Sequence, residues 1–290
     1  MTRKETFKTY YRLTKPGIIY GNALTAIAGY FFGAAGQPLA ITFFGMLIGI
    51  CTVMASACVY NNVLDRDIDK KMSRTKNRAL VSGAVSPQRA LGFATGLLIF
   101  GIVVLLVCTN LLTLGIALFG HFAYVVLYGY AKRTTVHGTL VGTISGATPP
   151  VIGYVAATGK LDVNALLLFL ILVAWQMPHF FAIAIFRRDD YASAGIPVLP
   201  VVRGLKNTRF QIVVYALLYV VSIGLLGLLG TAGLMWTLLM VLAGSYWLYL
   251  CLEPVSETLT IDKWARRQFR CSLVVLLLFS VSLSIEGFLH

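Results

Sequence analysis

Apolar runs of about twenty residues recur along the chain, separated by shorter polar stretches. A run of that length crosses the ~30 Å hydrocarbon core of a bilayer as an α-helix. Nine spans are expected, at residues 17–36, 40–60, 90–108, 111–131, 138–157, 164–185, 211–230, 232–251 and 271–289. Two of them carry breaks: Pro149-Pro150 in span five and Pro178, which interrupts span six. Membrane helices tolerate proline where neighbours satisfy the freed backbone groups. Gly138, Gly142 and Gly146 recur every four residues in span five, a spacing that lets helices approach closely; packing accounts for it. The fold class expected is all-α: a polytopic membrane protein of nine helices forming a single membrane domain over residues 1–290.

Composition points the same way. Hydrophobic residues make up 58% of the 290 positions and charged residues 12%, against roughly 25% charged in soluble domains. So few charges would not keep a soluble body of this size dispersed. The five cysteines lie in or beside apolar runs and form no CxxC pair, which argues against a disulfide frame or a zinc site. Residues 1–15 are polar and basic and lead straight into span one, unlike a cleaved signal peptide.

The net charge of +13 would suggest nucleic acid as partner for a soluble chain. Across nine alternating spans it resolves differently. Of the 24 Lys and Arg, 23 fall on one side, in the N-terminus and in loops 61–89, 132–133, 186–210 and 252–270; Lys160 stands alone on the other. By the positive-inside rule this places the N-terminus in the cytoplasm and the C-terminus outside, with no role for nucleic acid.

Lys and Arg serve topology, but Asp does little for it. After span two, Asn61, Asp65 and Asp69 fall at i, i+4 and i+8, with Asn62 three residues before Asp65. On a helix extending span two these oxygens share one face, and Asp67 points elsewhere. Mg²⁺ favours such oxygen ligands and is often held by one or two carboxylates plus substrate phosphate. Asn62, Asp65 and Asp69 are the candidate metal ligands, with Asn61 in support. Arg74, Lys76 and Arg78 are the leading diphosphate contacts and Arg66 and Lys70 weaker ones. The bland alternative is a solvated loop of mixed charge. A second loop on the same side carries Arg187, Arg188, Asp189 and Asp190. Its acids either hold a second ion or orient the arginines; a capped helix end with local ion pairs is the alternative. Loops 61–89 and 186–210 together would frame the mouth of one cavity.

Asn61-Asn62-x-x-Asp65-x-x-x-Asp69 resembles the first aspartate-rich motif of the UbiA superfamily of intramembrane prenyltransferases, with Asn62 where Asp is common. The string from Asn61 to Leu80 is similar to that of the protohaem IX farnesyltransferase branch. So are Thr14-Lys15-Pro16-Gly17-Ile18, His137-Gly138-Thr139, Gly146 to Gly153, Trp175-Gln176-Met177-Pro178-His179-Phe180 and Ile196 to Val202. The resemblance covers about residues 10–210. Many superfamily members have a second DxxxD motif; Arg187 and Tyr191 stand at those positions here, and the branch keeps only an Asp-Tyr pair.

The resemblance implies a UbiA-type bundle in the cell (inner or plasma) membrane, Mg²⁺ as cofactor, and farnesyl diphosphate and haem B as substrates. Haem B, water and farnesyl diphosphate would give haem O and diphosphate. A haem A synthase or terminal oxidase would then be a partner. Two histidines at membrane depth become haem-binding candidates. His121 sits inside span four, where an ionisable residue is a functional suspect by default. His179 follows Pro178; axial contact with haem iron stands against satisfaction by a backbone carbonyl or water. His137 at the edge of span five and the terminal His290 are assigned no such role. Asn22 is either helix–helix glue or a polar group in a cavity. A secondary transporter would place its charged residues near mid-membrane, whereas these acids gather at one face. An aromatic prenyltransferase should show a fuller second motif, and a haem-binding scaffold has no use for the Asn/Asp cluster.

Overall fold

The computed structural model describes residues 2–256 and 259–289. His290 lies outside them. Among the described residues, nine helices are long and apolar enough to cross a membrane. They are span one Pro16–Ala34, two Ala40–Leu64, three Pro87–Cys108, four Leu111–Thr134, five Gly138–Thr158, six Val163–Phe186, seven Gly204–Leu228, eight Leu234–Leu252 and nine Ile261–Leu289. A polar helix, Arg3–Leu13, precedes them, with Thr2 and Glu5 forming a reciprocal capping box at its start.

The boundaries differ from expectation mainly at the charged loops. Span nine begins ten residues before the expected 271, and span seven begins at Gly204 in place of 211. Asp262, Lys263, Arg266, Arg267 and Arg270 lie on helical turns that continue beyond the apolar stretch. A helix need not stop where hydrocarbon ends, so hydropathy shortens it. Pro178 does not interrupt span six. It is buried inside a continuous helix, and the cost is the one hydrogen bond its missing N–H would have given to Ala174. Span five does break, but at Ala147, just ahead of the proline pair. Pro149 and Pro150 sit in the first turn of Thr148–Thr158, where a missing N–H leaves no helical carbonyl unpaired.

Spans one, two, four, five, six and nine form a ring, each packed against its neighbours in the order two-four-five-six-nine-one. Span three packs on two, and seven and eight back six and nine. Span six is central, with 67% of its most apolar stretch buried, whereas span three at 17% mostly faces lipid. Trp236, Trp247, Trp264 and Phe279 fill the interface of the later spans.

Away from the charged loops the ring is pinched shut by a backbone-to-backbone crossing of spans one and five. A Cβ on Gly29 would lie 2.0 Å from the Pro150 carbonyl oxygen, and one on Gly153 would lie 1.9 Å from that of Ala26. Neither carbonyl is a side chain that can swing away. The trio singled out by its four-residue spacing packs less centrally: Gly142 lies against the Tyr128 ring and Gly146 against the Gln176 amide.

The crossing makes a prediction. Gly153→Ala should force spans one and five apart, at a cost of about 1–3 kcal/mol, and lower the thermal unfolding midpoint of the purified protein in detergent. Gly92→Ala, where a Cβ meets open space inside span three, should leave the midpoint unchanged or slightly raised.

Candidate active site

The ring encloses a cavity of ≈ 560 Å³. Its deep walls are apolar, with Ile50, Val53, Ile152 and Leu172 among them; its charged end carries Lys15, Asp65, Asp69, Arg74, Arg78 and Lys132. Cavities of this size hold drug-sized ligands.

The aspartate motif is built at the end of span two. That helix stops at Leu64, and Asp65 turns the chain into a short helix, Arg66–Asp69. The i→i−4 bonding nevertheless persists through the kink, with Asp65 N–H donating to Asn61 C=O at 2.9 Å and Asp69 N–H to Asp65 C=O at 2.8 Å. The one-face spacing is therefore retained although the helix is not straight. Asn61, Asp65 and Asp69 all line the cavity and are buried, while the Asp67 side chain is 67% exposed. Asn62 differs from expectation. It is buried behind the wall, donating to the Leu13 carbonyl at 2.8 Å and accepting from Arg78 at 3.4 Å. It fastens the N-terminal helix to span two, and Asn61 faces the cavity.

Asp65 and Asp69 are each paired with a cation. Arg78 donates to both Asp69 oxygens, at 2.7 and 2.9 Å. Lys132, from the end of span four, donates to Asp65 in a short hydrogen bond. Arg133 bridges Asp67 at 2.9 and 3.0 Å and reaches Asp65 at 3.4 Å. That guanidinium holds the Asp67 carboxyl at about 2, below the usual carboxylate range. Lys15 precedes Pro16 with φ 54° and ψ 62°, a left-handed conformation uncommon for a residue with a Cβ. The bend aims its ammonium at Asn61 Oδ1, 2.8 Å away. Burial pushes its pKa down to about 8.

Among the described residues, no three His, Cys, Asp or Glu form a metal cluster. The donor chemistry nonetheless fits a hard divalent cation, which takes one or two carboxylates and fills its shell with phosphate and water. Asp65 and Asp69 supply those carboxylates. The Asn61 Nδ2 group is buried with no acceptor, as suits a donor waiting for a phosphate oxygen. Of the basic candidates, Arg74 and Arg78 line the cavity, and Arg66, Lys70 and Lys76 do not.

The second loop locks onto the first. Asp190 accepts from the backbone N–H and the hydroxyl of Ser73, at 3.2 and 2.6 Å. The Ser73 hydroxyl in particular holds its carboxyl below the ordinary range. Asp189 is 97% exposed and sits 3.6 Å from Arg188, which also reaches Asp262 at 3.8 Å. The two acids thus fasten loops and pair locally; neither lines the cavity. Tyr191 does, and burial raises its pKa, keeping the phenol protonated.

Both histidines at membrane depth border the cavity. His121 Nε2 lies 3.3 Å from Ser56 Oγ. His179 is packed between Trp175 and Phe269, with ring centroids 4.8 and 4.9 Å away, and its Nδ1 is 2.8 Å from Ser272 Oγ. A hydroxyl of span nine therefore fills the role considered for a backbone carbonyl or water. His137 is exposed at the head of span five. Asn22 lines the cavity and donates to Ile18 C=O in its own helix at 2.9 Å, so it is a cavity group and not interhelical glue.

Several participants were not singled out from sequence. Lys132 and Arg133 looked like topology charges and prove to be partners of the aspartates. Tyr124 and Tyr128 reach the wall through a π-helical stretch, Ala123–Tyr128; such bulges often mark functional sites. Gln176 was visible only within a resembling string.

Residues 22–280 match the UbiA prenyltransferase family. The chain is 42% identical over 278 residues to protoheme IX farnesyltransferase 1 of Shewanella frigidimarina, covering 96% of this chain and 92% of that one. A digeranylgeranylglyceryl phosphate synthase superposes with a TM-score of 0.81 at 20% identity, covering 99% of this chain and all of that one. A UbiA homologue from Archaeoglobus fulgidus bound to GPP and Mg²⁺ gives a TM-score of 0.69 at 15% identity, covering 95% and 99%. With nine apolar helices among its described residues, its motif at the mouth of a ring-enclosed cavity, the family match over residues 22–280 and its near full-length identity to the Shewanella protein, the chain belongs to the UbiA prenyltransferase family.

Proposed function

We propose that this chain converts haem B, farnesyl diphosphate and water into haem O and diphosphate, adding a hydroxyethylfarnesyl group at a haem vinyl. The observation that carries the reading is the cavity itself: two buried carboxylates and a ring of cations at one end, apolar walls beyond, and His179 on its side. Kinship to a protein named protoheme IX farnesyltransferase supports it.

Asp65 and Asp69 would hold Mg²⁺, the ion bound with a prenyl diphosphate by the Archaeoglobus homologue. Bound there, Mg²⁺ supplies a Lewis acid that stabilises charge developing on the departing diphosphate. Lys15, Arg74 and Arg78 orient the remaining phosphate oxygens, and Asn61 Nδ2 donates to one of them. The farnesyl chain lies along the apolar wall. When the allylic C–O bond breaks, its electron pair leaves with diphosphate. The rings of Tyr124, Tyr128 and Trp175, which line the cavity, would favour the resulting carbocation. The haem vinyl attacks with its π pair to form the C–C bond. The positive charge then sits beside the pyrrole, water adds to that carbon, and a proton is released to solvent. His179, its Nδ1 engaged by Ser272, has Nε2 left for the haem iron. The protein's work is positioning and control of water. The membrane would be the cell membrane, with the charged loops cytoplasmic, because 23 of 24 basic residues lie on that side. A haem A synthase or terminal oxidase would consume the product.

Expression in a host that makes only haem B should yield a haem heavier by one farnesyl group and one hydroxyl, read by mass spectrometry; unchanged haem would defeat the reading. Asp69→Asn and Asp65→Asn should each lower turnover by roughly a thousandfold or more while the protein stays in the membrane. Asp69→Asn is the cleaner test, since Arg78 is partly solvated whereas Asp65→Asn strands the buried Lys132. Near-normal activity in Asp69→Asn would remove that residue from the metal site.

For His179→Ala, haem affinity should fall and the haem absorbance spectrum shift, with affinity for farnesyl diphosphate little altered. If His121→Ala shows those changes instead, the role moves to span four. Orientation is read separately: in a cysteine-free background, Asn77→Cys should react with an impermeant maleimide only in inside-out vesicles and Lys160→Cys only in intact cells. The opposite pattern would invert the topology.

A further inference from the structure

A second cleft, of ≈ 370 Å³, opens beside the main cavity at its charged end. Its wall is formed by Arg74, Arg187, Arg266 and Arg270 with Phe186 and Phe269. All four arginines are exposed to solvent, which screens their mutual repulsion, and Asp190 acts on Arg74 and Arg187 from nearby; the cleft nonetheless offers a net positive surface to an anion. Two neighbouring arginines are paired: Arg267 binds Glu253 at 2.6 Å, and Arg188 lies near Asp189 and Asp262. The four in the cleft have no Asp or Glu partner within 4.0 Å among the described residues. Two are braced by an aromatic face, Arg266 at 4.7 Å and Arg187 at 5.9 Å from the centre of the Phe186 ring, which holds their charge in place.

We infer that this cleft is the subsite for the two propionate carboxylates of the haem substrate, a deepening that rests on the haem reading given above. Arg74 and Ile183 belong to both the cleft and the cavity, so one ligand can occupy both. Phe269 lines the cleft on one side and packs on His179 on the other. Arg187 lies eight residues beyond His179 on span six, about 12 Å along the helix axis. Arg266 lies six residues before Ser272, the partner of His179, or about 9 Å. Those separations suit half a macrocycle plus a propionate arm. Carboxylates pair with arginine forks through two parallel hydrogen bonds; with Arg74 turned to the phosphate side, Arg187, Arg266 and Arg270 are left for the two carboxylates.

The placement has a consequence for the reaction. Haem carries its vinyls on the edge opposite its propionates. Arg187, Arg266 and Arg270 stand at spans six and nine, and span six stands across the ring from span two, which leads into Asp65 and Asp69; Arg74, on the loop after span two, lines both cleft and cavity. A macrocycle anchored at the cleft lies across the mouth of the bundle and presents its vinyl edge to the carbon that diphosphate leaves. The arginines thereby decide which edge of the haem is prenylated.

Wild-type protein is titrated with haem B and with its dimethyl ester, and the same titrations are made on Arg266→Gln/Arg270→Gln. Steady-state KM values are measured for haem B and farnesyl diphosphate, in nanodiscs with and without anionic lipid. Wild type should bind the ester roughly tenfold to a hundredfold more weakly than haem B. The double variant should lose that discrimination and show a matching rise in KM for haem B only. The ester comparison needs no variant, so a poorly folding protein does not spoil it. Equal affinity of wild type for haem B and ester, with haem O still formed, overturns the subsite and leaves the proposed function standing. A rise in KM for farnesyl diphosphate alone reassigns the cleft to diphosphate. A variant defect that appears only with anionic lipid present reassigns it to a lipid headgroup. Wild type that neither binds haem nor forms haem O removes the function and the subsite together.

Discussion

Charge brought into the rim of a membrane bundle has to be neutralised locally, and this requirement organises the charged end of the molecule. Breaking a buried ion pair typically costs 3–5 kcal/mol because the remaining charge is stranded. Asp65 and Asp69 therefore each recruit a cation, Lys132 from the end of span four and Arg78 from nine residues further along the same loop. These pairs tie span two to span four and to the following loop. The loop in turn is fastened to the second loop through Ser73 and Asp190.

The same pairs make the site responsive to a ligand. A divalent cation at Asp65 and Asp69, as proposed, would compete with Lys132 and Arg78, and each side chain displaced would become available to phosphate. Charge is thereby conserved within the mouth whether or not substrate is present. In the proposed reaction the cations would serve both as part of the diphosphate site and as its placeholder; their pairing with the aspartates is more than topology alone explains.

The opposite end is governed by packing. Spans one and five cross at glycine, backbone against backbone, so the ring is pinched there and open at the charged end. The polar parts of two amphiphilic substrates can then reach one mouth while their apolar parts remain in the interior. Two anchors on opposite sides of that mouth, aspartates on one and arginines on the other, would bring the reacting carbons together without acid–base machinery.

Much of this was legible in the chain by itself. Hydropathy yielded nine spans because bilayer thickness fixes helix length. The charge asymmetry indicated an orientation, and the i, i+4, i+8 spacing put Asn61, Asp65 and Asp69 on one face, a relation that the kink at Asp65 leaves intact. Tertiary structure decided what depends on neighbours. The ends of spans seven and nine escaped hydropathy because helices run on through charged turns. Pro178 read as a break, yet the surrounding helices hold span six continuous. Asn61 and Asn62 are adjacent in sequence, but adjacent residues on a helix point about 100° apart, and only packing against Leu13 settled which one faces the cavity. Lys132, Ser272, Arg266 and Arg270 could not be joined to the motif from sequence, because no periodicity records which helix stands beside which.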